Sequence, residues 1–403
     1  MATTLREVSH SMRLISFLGT GKYDETTYSF EGSTCRTRYV AHALAEFNRA
    51  NEIRLIATAE AWNQHGNALA QVLSGSGHPV PEQVPVPTGG EPHQLWRMFG
   101  TIVEVIDASD SPVLLDITHG FRMQPFFAAA CIQYIQSVLS TPPKIRVVYG
   151  EYRQGDTSPI WELTPFLEVL SWSRNLMMFL RTGQADQIVA DTDSLGRALN
   201  KQRADDGVKS GFSQLPKLAG AIKSFSDDFT TIRTGSLLIG KEKEQPSAQR
   251  LYDAIEQTKN EVIQHLPALA LVLDQVQEMV KPLLTGGARL SSKPGQQALI
   301  ALAKLYQKMG RYSEAISVLR EGWITLGAPH DADHPGSGFN RKSRESQEQS
   351  WQTATPQFQT VSEVRNDIQH AGFNQQPHDR SWFKEQLEKL LIEWEQNINK
   401  QTL

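Results

Sequence analysis

An α/β domain followed by an all-α domain is the architecture this sequence predicts, and three observations predict it. Short apolar runs alternate with stretches of helical periodicity up to residue 163. From residue 166 onward no strand pattern competes with the helical one. Between the two regimes Thr164-Pro165 writes a helix start, with threonine as N-cap and proline as first residue. At 403 residues the chain exceeds one ordinary core, so two domains, residues 1–165 and 166–403, are the natural division.

The elements follow in order. Residues 12–18 are a compact apolar run and predict a first strand rather than a signal peptide. Residues 37–49 place Tyr39, Val40, Ala43, Leu44 and Phe47 at helical spacing, and residues 53–57 return to a strand. Helices are expected over 60–73 and 92–106, a strand over 112–117, an apolar helix over 124–139 and a strand over 145–149. Strands alternating with helices imply a mainly parallel, doubly wound sheet covered on both faces. A last hairpin across 147–163 turns at Gln154-Gly155-Asp156.

The second part predicts helices over 166–181, 186–201, 214–230, 248–280, 295–309, 312–326, 357–370 and 381–398. Breaks fall at 240–246, 283–294 and, most clearly, 327–350. That last stretch, rich in Gly, Pro, His, Arg and Ser, reads as a long loop, either disordered or functional, that carries Arg341, Lys342 and Arg344. The pair over 297–326 has the look of a tetratricopeptide hairpin, but no second copy stands at a fixed period, which argues against a solenoid.

Composition narrows the function classes. Hydrophobic residues make up 39% and charged residues 21%, as in a soluble globular protein, and no apolar run has the length of a membrane span. A net charge of -4 excludes a blanket nucleic-acid coat, so any RNA contact is local. Cys35 and Cys131 are the two cysteines, and without a Cys/His cluster at metal spacing a reducing cytoplasm is the expected compartment. The histidines at 65, 93, 265, 330, 334 and 378 are scattered, so no catalytic metal is expected.

Two loops stand at the carboxyl ends of expected strands, where open α/β sheets place ligands. They are Gly19-Thr20-Gly21-Lys22-Tyr23 and Asp116-Ile117-Thr118-His119-Gly120-Phe121-Arg122. Glycine admits a phosphate to backbone amides, while hydroxyls and arginine add donors. The usual phosphate-loop signature fails, since Tyr23 follows the lysine and Ser16 holds the earlier glycine position; the dinucleotide fingerprint fails at Asp24. ATP and NAD are therefore disfavoured. An ordinary tight turn accounts for the first loop equally well, whereas the second is more polar than a turn needs.

Near the C-terminus, Arg365-Asn366-Asp367-Ile368-Gln369-His370 ends a helical stretch before Ala371-Gly372. Arginine forks onto a phosphate, and histidine moves a proton near neutral pH. RNA carries its own 2'-hydroxyl nucleophile, so this pair is a minimal kit for metal-independent cleavage. Asn366, four residues from His370, shares its face and is suited to orient the imidazole. Five residues turn a helix by about 140 degrees, so Arg365 and His370 of one chain point apart and a composite site with a second chain is favoured. The plain alternative is a surface ion pair of Arg365 with Glu363 or Asp367 and a helix-ending His370. Arg36 to His42 meets the looser spacing too, at the start of an expected helix.

The segments Leu14 to Tyr23, Thr37 to Val40 and Asp116 to Arg122, taken with Arg365 to His370, resemble the CARF-HEPN ribonucleases of type III CRISPR systems. The likeness also takes in the helix pair over 298–322; residues 186–294 match only in being helical. The resemblance implies a Rossmann-like CARF sensor over 1–165 and a helical HEPN ribonuclease core within 166–403. It implies an antiviral effector, a homodimer or a higher oligomer of it, that cyclic oligoadenylate, most often the tetra-adenylate ring, activates to cut single-stranded RNA. Gly19, Thr20 and Gly21 would then approach a phosphodiester, and Thr118, His119, Gly120, Phe121 and Arg122 would line the pocket under the ring. Arg365, Asn366 and His370 would be the catalytic group. Some members of the family also degrade their activator; in another open reading the sensor binds or degrades the ring and the helical part only binds partners.

Overall fold

In the computed structural model, which describes residues 12–107, 111–120, 123–205, 213–241, 244–265, 267–327, 341–373 and 376–400, the first apolar run forms β1 (Arg13–Leu18). It is buried along its whole length because it lies inside the sheet, parallel to β4 (Glu52–Ala57) on one side and β6 (Val113–Asp116) on the other. β5 (Glu82–Pro85) continues in parallel beyond β4, and β7 (Ile145–Gly150) beyond β6. β8 (Thr157–Glu162) returns antiparallel to β7 through a turn in which Gly155 takes a φ of +74. The hairpin of β2 (Thr26–Phe30) and β3 (Ser33–Thr37) completes that edge, with β2 parallel to β8.

The resulting order is β3-β2-β8-β7-β6-β1-β4-β5. After β1 and the β2–β3 hairpin at the far edge, the chain steps outward from β1 through β4 and β5, then restarts at β6 and steps the other way. The crevice between the carboxyl ends of β1 and β6 is thus the topological switch point, the place where such sheets bind ligands.

Alternation along β1 feeds two cores. Leu14 and Leu18 join Val40 and Leu44 of α1 (Val40–Asn48) and Leu69 and Leu73 of α3 (Asn67–Gly75). Ile15 and Phe17 join Met98 and Ile102 of α4 (Pro92–Asp107) and Cys131 and Ile132 of α5 (Gln124–Val138). Helices therefore cover both faces, as expected. The helix expected over 60–73 is built of α2 (Ala59–Ala61), a π turn over Trp62–Gly66, and α3, running on without a break. Thr58 caps its start by accepting from Ala61 N. A Cβ on Gly66 would lie 2.6 Å from the Trp62 ring, which restricts that position to glycine.

The second part is helical: α6 (Thr164–Thr182), α7 (Asp186–Asp205), α8 (Leu215–Thr230), α9 (Thr234–Leu238), α10 (Ser247–His265), α11 (Pro267–Val280), α12 (Lys293–Lys308), α13 (Tyr312–Gly327), α14 (Arg341–Ala354), α15 (Pro356–Gln369) and α16 (Arg380–Lys400). Two compact units result, Met1–Ser171 and Trp172–Leu403, so the division expected after residue 165 falls later, inside α6. The single helix expected over 248–280 is two, since Pro267 begins α11. A stacked aromatic pair, Phe229 on Tyr306, centres one part of the helical core, with Arg311 over both rings. Elsewhere the buried Trp394 donates its indole N–H to Gln296. No helix among the described residues is long and apolar enough to cross a membrane.

The loop expected over 327–350 needs correcting. Residues 328–340 lie outside the described residues, but Arg341 to Ser350 belong to α14. Ion pairs and one aromatic contact hold this helix: Arg344 pairs with Glu321 at 2.6 Å and donates to Thr325, Arg320 pairs with Glu348, and Trp351 packs edge-on against Trp323. None of its residues is buried.

Candidate functional site: a sheet crevice and a helix end

At the switch point the two loops meet. A Cβ on Gly19 would stand 3.5 Å from the His119 carbonyl oxygen. The Tyr23 hydroxyl accepts from Gly19 N (2.9 Å) and donates to Gly19 O (3.0 Å), while its ring packs edge-on against His119 with centroids 4.2 Å apart. Tyr23 thus ties the loops together and takes the Gly19 amide, so that Gly19 shapes the loop and Thr20 and Gly21 are its outer part. Neither Gly19 nor Gly21 has a positive φ, and a Cβ on Gly21 would meet nothing within 4 Å among the described residues. Backbone conformation does not demand these glycines; the missing side chain of Gly21 leaves open space above the loop, while a Cβ on Gly19 would be in contact with His119 and Tyr23.

The second loop is anchored from below. Asp116, fully buried at the end of β6, accepts from Ser16 Oγ at 2.6 Å and from both the amide (2.9 Å) and hydroxyl (2.5 Å) of Thr118. Burial pushes its carboxyl above the usual range against these donors. Thr118 Oγ1 in turn accepts from Gly150 N at 2.7 Å, which fastens the loop to β7. Thr118 is therefore a strut as well as a candidate ligand contact.

His119 is different. Its Nε2 is buried without a hydrogen-bond partner in the structure. Burial, with His65 as the smaller cause, holds its imidazole down at about 4. At neutral pH it is a neutral ring that offers a donor or acceptor to a ligand, not a cation. His65, from the π turn, reaches Gly21 O at 2.9 Å and packs on Tyr23 at 4.4 Å. In the sequence it is one of the scattered histidines, and only the fold brings it over the first loop. Gly120 is half-buried beside His119; Phe121 and Arg122 lie outside the described residues.

The C-terminal motif lies on α15, whose Phe358, Val361, Val364 and Asp367 are buried on one face. His370 is its exposed C-cap, and Ala371 and Gly372 follow with φ of +54 and +72, so the helix stops where the sequence predicts. Arg365 Nη1 donates to Asn366 Oδ1 at 3.1 Å. The expectation that Asn366 orients the His370 ring needs correcting for a single chain: its side chain engages Arg365, and the bond to His370 runs from the His370 amide to the Asn366 carbonyl at 2.8 Å. Arg365 and Asn366 border a groove of about 490 Å³ with Arg320, Glu345 and Ser362. The structure thus brings Arg365 and Asn366 together and leaves His370 in solvent at the helix end.

One residue of the motif, Asp367, and His378 beyond it carry further polar chemistry. Buried Asp367 accepts at Oδ2 from both the amide (3.1 Å) and Nδ1 (3.0 Å) of His378, whose ring stacks on Trp382 at 3.6 Å. This carboxylate–imidazole pair opens onto a pocket of about 690 Å³ with Arg311, Tyr312 and Arg380. The two stand eleven positions apart in the sequence, on either side of the end of α15, so no spacing within one helix reveals the pair. The second Arg–His spacing builds nothing comparable, since Arg36 pairs with Glu25 at 2.6 Å and His42 is buried on α1.

No protein-family model matches this chain, and no curated protein matches it.

Proposed function

We propose that the N-terminal unit is a CARF-type sensor that binds cyclic oligoadenylate at the β1/β6 crevice. The helical unit is then a HEPN-type ribonuclease that the bound ring activates. The observation that carries this reading is the meeting of Gly19-Thr20-Gly21 and Thr118-His119-Gly120 at the switch point of the sheet. The open space over Gly21 suits a phosphodiester, and the neutral, unpartnered His119 suits an adenine edge or ribose hydroxyl. A ring with rotational symmetry meets the same loops twice in a two-fold homodimer.

In the helical unit Arg365 holds the scissile phosphate, and His370 takes or returns the proton of the 2'-hydroxyl. The exposed position of His370 favours a site completed by the same helix of a second chain, and single-stranded RNA is the substrate because its 2'-hydroxyl has to swing in line. Ring binding acts by preferring the arrangement of chains in which those helices meet. An antiviral effector in the cytoplasm is the role this implies. The activator is a ligand rather than a cofactor, and the RNA chemistry needs no metal.

The test is cleavage of single-stranded RNA by purified protein with cyclic tri-, tetra- or hexa-adenylate. Cleavage is expected with one ring and is lost in His370→Ala and in Arg365→Ala, while both variants still bind that ring. Retained cleavage in His370→Ala would sink the assignment. A second reading is favoured by the engagement of Arg365 with Asn366 rather than His370. In it the sensor mainly binds or degrades the ring and the helical unit binds a partner. Ring degradation without RNA cleavage would select that reading.

A further inference from the structure

A third group of side chains, in the N-terminal unit and apart from the crevice loops, converges on one point. α1 presents His42 and Glu46 four residues apart, hence on one helical face. The turn after α3 brings in His78, 32 positions beyond Glu46 (78 − 46). The Nε2 atoms of His42 and His78 lie 3.5 and 3.2 Å from Glu46 Oε1. One ligand atom from each of the three residues falls within 4.8 Å of the others. Around a tetrahedral ion with bonds of about 2.0–2.2 Å, neighbouring ligand atoms stand about 3.4 Å apart. The two spacings to Glu46 match that edge.

Burial separates this group from an ordinary surface ion pair. The side chains of His42 and His78 are 11% and 12% exposed, whereas Glu46 at 41% opens a path to solvent. His78 Nε2 is buried and, beside its 3.2 Å approach to Glu46 Oε1, makes no hydrogen bond; His42 Nδ1 makes none either. An ion on His78 Nε2 would take up the lone pair that this nitrogen otherwise leaves unused. His42 Nε2 stands 2.9 Å from the Ser76 hydroxyl, a bond that a metal on that nitrogen replaces.

We infer that His42, Glu46 and His78 hold a zinc-class divalent transition ion, with two imidazoles and one carboxylate as ligands and the fourth position toward solvent. Two neutral imidazoles and one oxygen are the donor set such ions prefer over calcium or magnesium. The ion would clamp α1 to the end of α3. It would thereby fix the helix whose other end places His65 on Gly21 and Tyr23. No metal spacing is visible here in the sequence because His78 stands at no helical or loop spacing from His42 and Glu46. The inference does not rest on the proposed RNA chemistry.

The test uses the full chain, stripped with a chelator and titrated with zinc and with cobalt(II), reading binding heat, bound metal and melting temperature. A single zinc equivalent per chain and a zinc-dependent rise in melting temperature are expected. Glu46→Gln, at a solvent-open position, and His78→Gln should each weaken binding by roughly 100-fold or more and abolish that rise. His370→Ala should bind zinc as the parent does. Absence of zinc binding by the parent chain overturns the site. So does undiminished binding in Glu46→Gln and His78→Gln, or loss of binding in His370→Ala.

Discussion

Lowering the pH from about 6.5 to about 4 should loosen the crevice through one residue, His119. In the unfolded chain its imidazole titrates at the ordinary 6.5; in the folded protein burial holds it at about 4. Between those values the unfolded state binds more protons, so stability rises with pH across the window. It is fully present above about 6.5 and is lost as the pH falls toward 4. A fall from 6.5 to about 4, at about 1.4 kcal/mol for each pH unit, corresponds to about 3 kcal/mol. His119→Gln keeps a neutral polar side chain and cannot take the proton, so it should remove most of that loss. The assay is hydrogen exchange of β1 and β6 amides across the window, corrected for the intrinsic pH dependence, beside a carbon-13 titration of the His119 ring. A ring midpoint near 6.5, or the same loss of protection in His119→Gln, would refute the reasoning.

Two further outcomes follow from contacts already described. Thr118→Val removes the acceptor of the buried Gly150 N–H and a donor to Asp116, and should cost the N-terminal unit about 1–3 kcal/mol in exchange protection of β7, with Thr118→Ser restoring most of it. In the helical unit, a Cβ on Gly322 would lie 2.2 Å from the Trp394 ring, so Gly322→Ala should lower stability by about 1–3 kcal/mol in urea unfolding; an unchanged midpoint would show that the ring yields freely.

How much was legible in the sequence depended on what each element buries. β1 and the helices of both units announce themselves because an apolar run or stripe faces a core. β2 also alternates, with Thr26, Tyr28 and Phe30 inward, but two threonines and a serine in five residues blur the pattern. β3, with Ser33 and Thr34 exposed, is a polar edge, and β5 is four residues ending in proline. α14 buries nothing, so hydrophobic periodicity had nothing to report there. The site divided in the same way. The loops and the Arg365 to His370 helix end were visible as local strings. His65 over Gly21, Asp367 with His378, and His42 with His78 are products of tertiary structure, and one sequence holds no spacing for them.

The π turn at Trp62–Gly66 has a consequence for how this chain tolerates length changes. A wide turn accommodates one extra residue in a helix while leaving the turns on either side of it in phase. Deleting one residue from it would let the segment close to a regular helix, with Leu69 and Leu73 still facing the core they share with Ala61. What that deletion would remove is the bulge that carries His65 to Gly21. A further deletion, or an insertion, would turn the leucines by about 100 degrees per residue out of the core. A length scan would therefore find one tolerated deletion that loosens the first loop, flanked by changes that destabilise the unit.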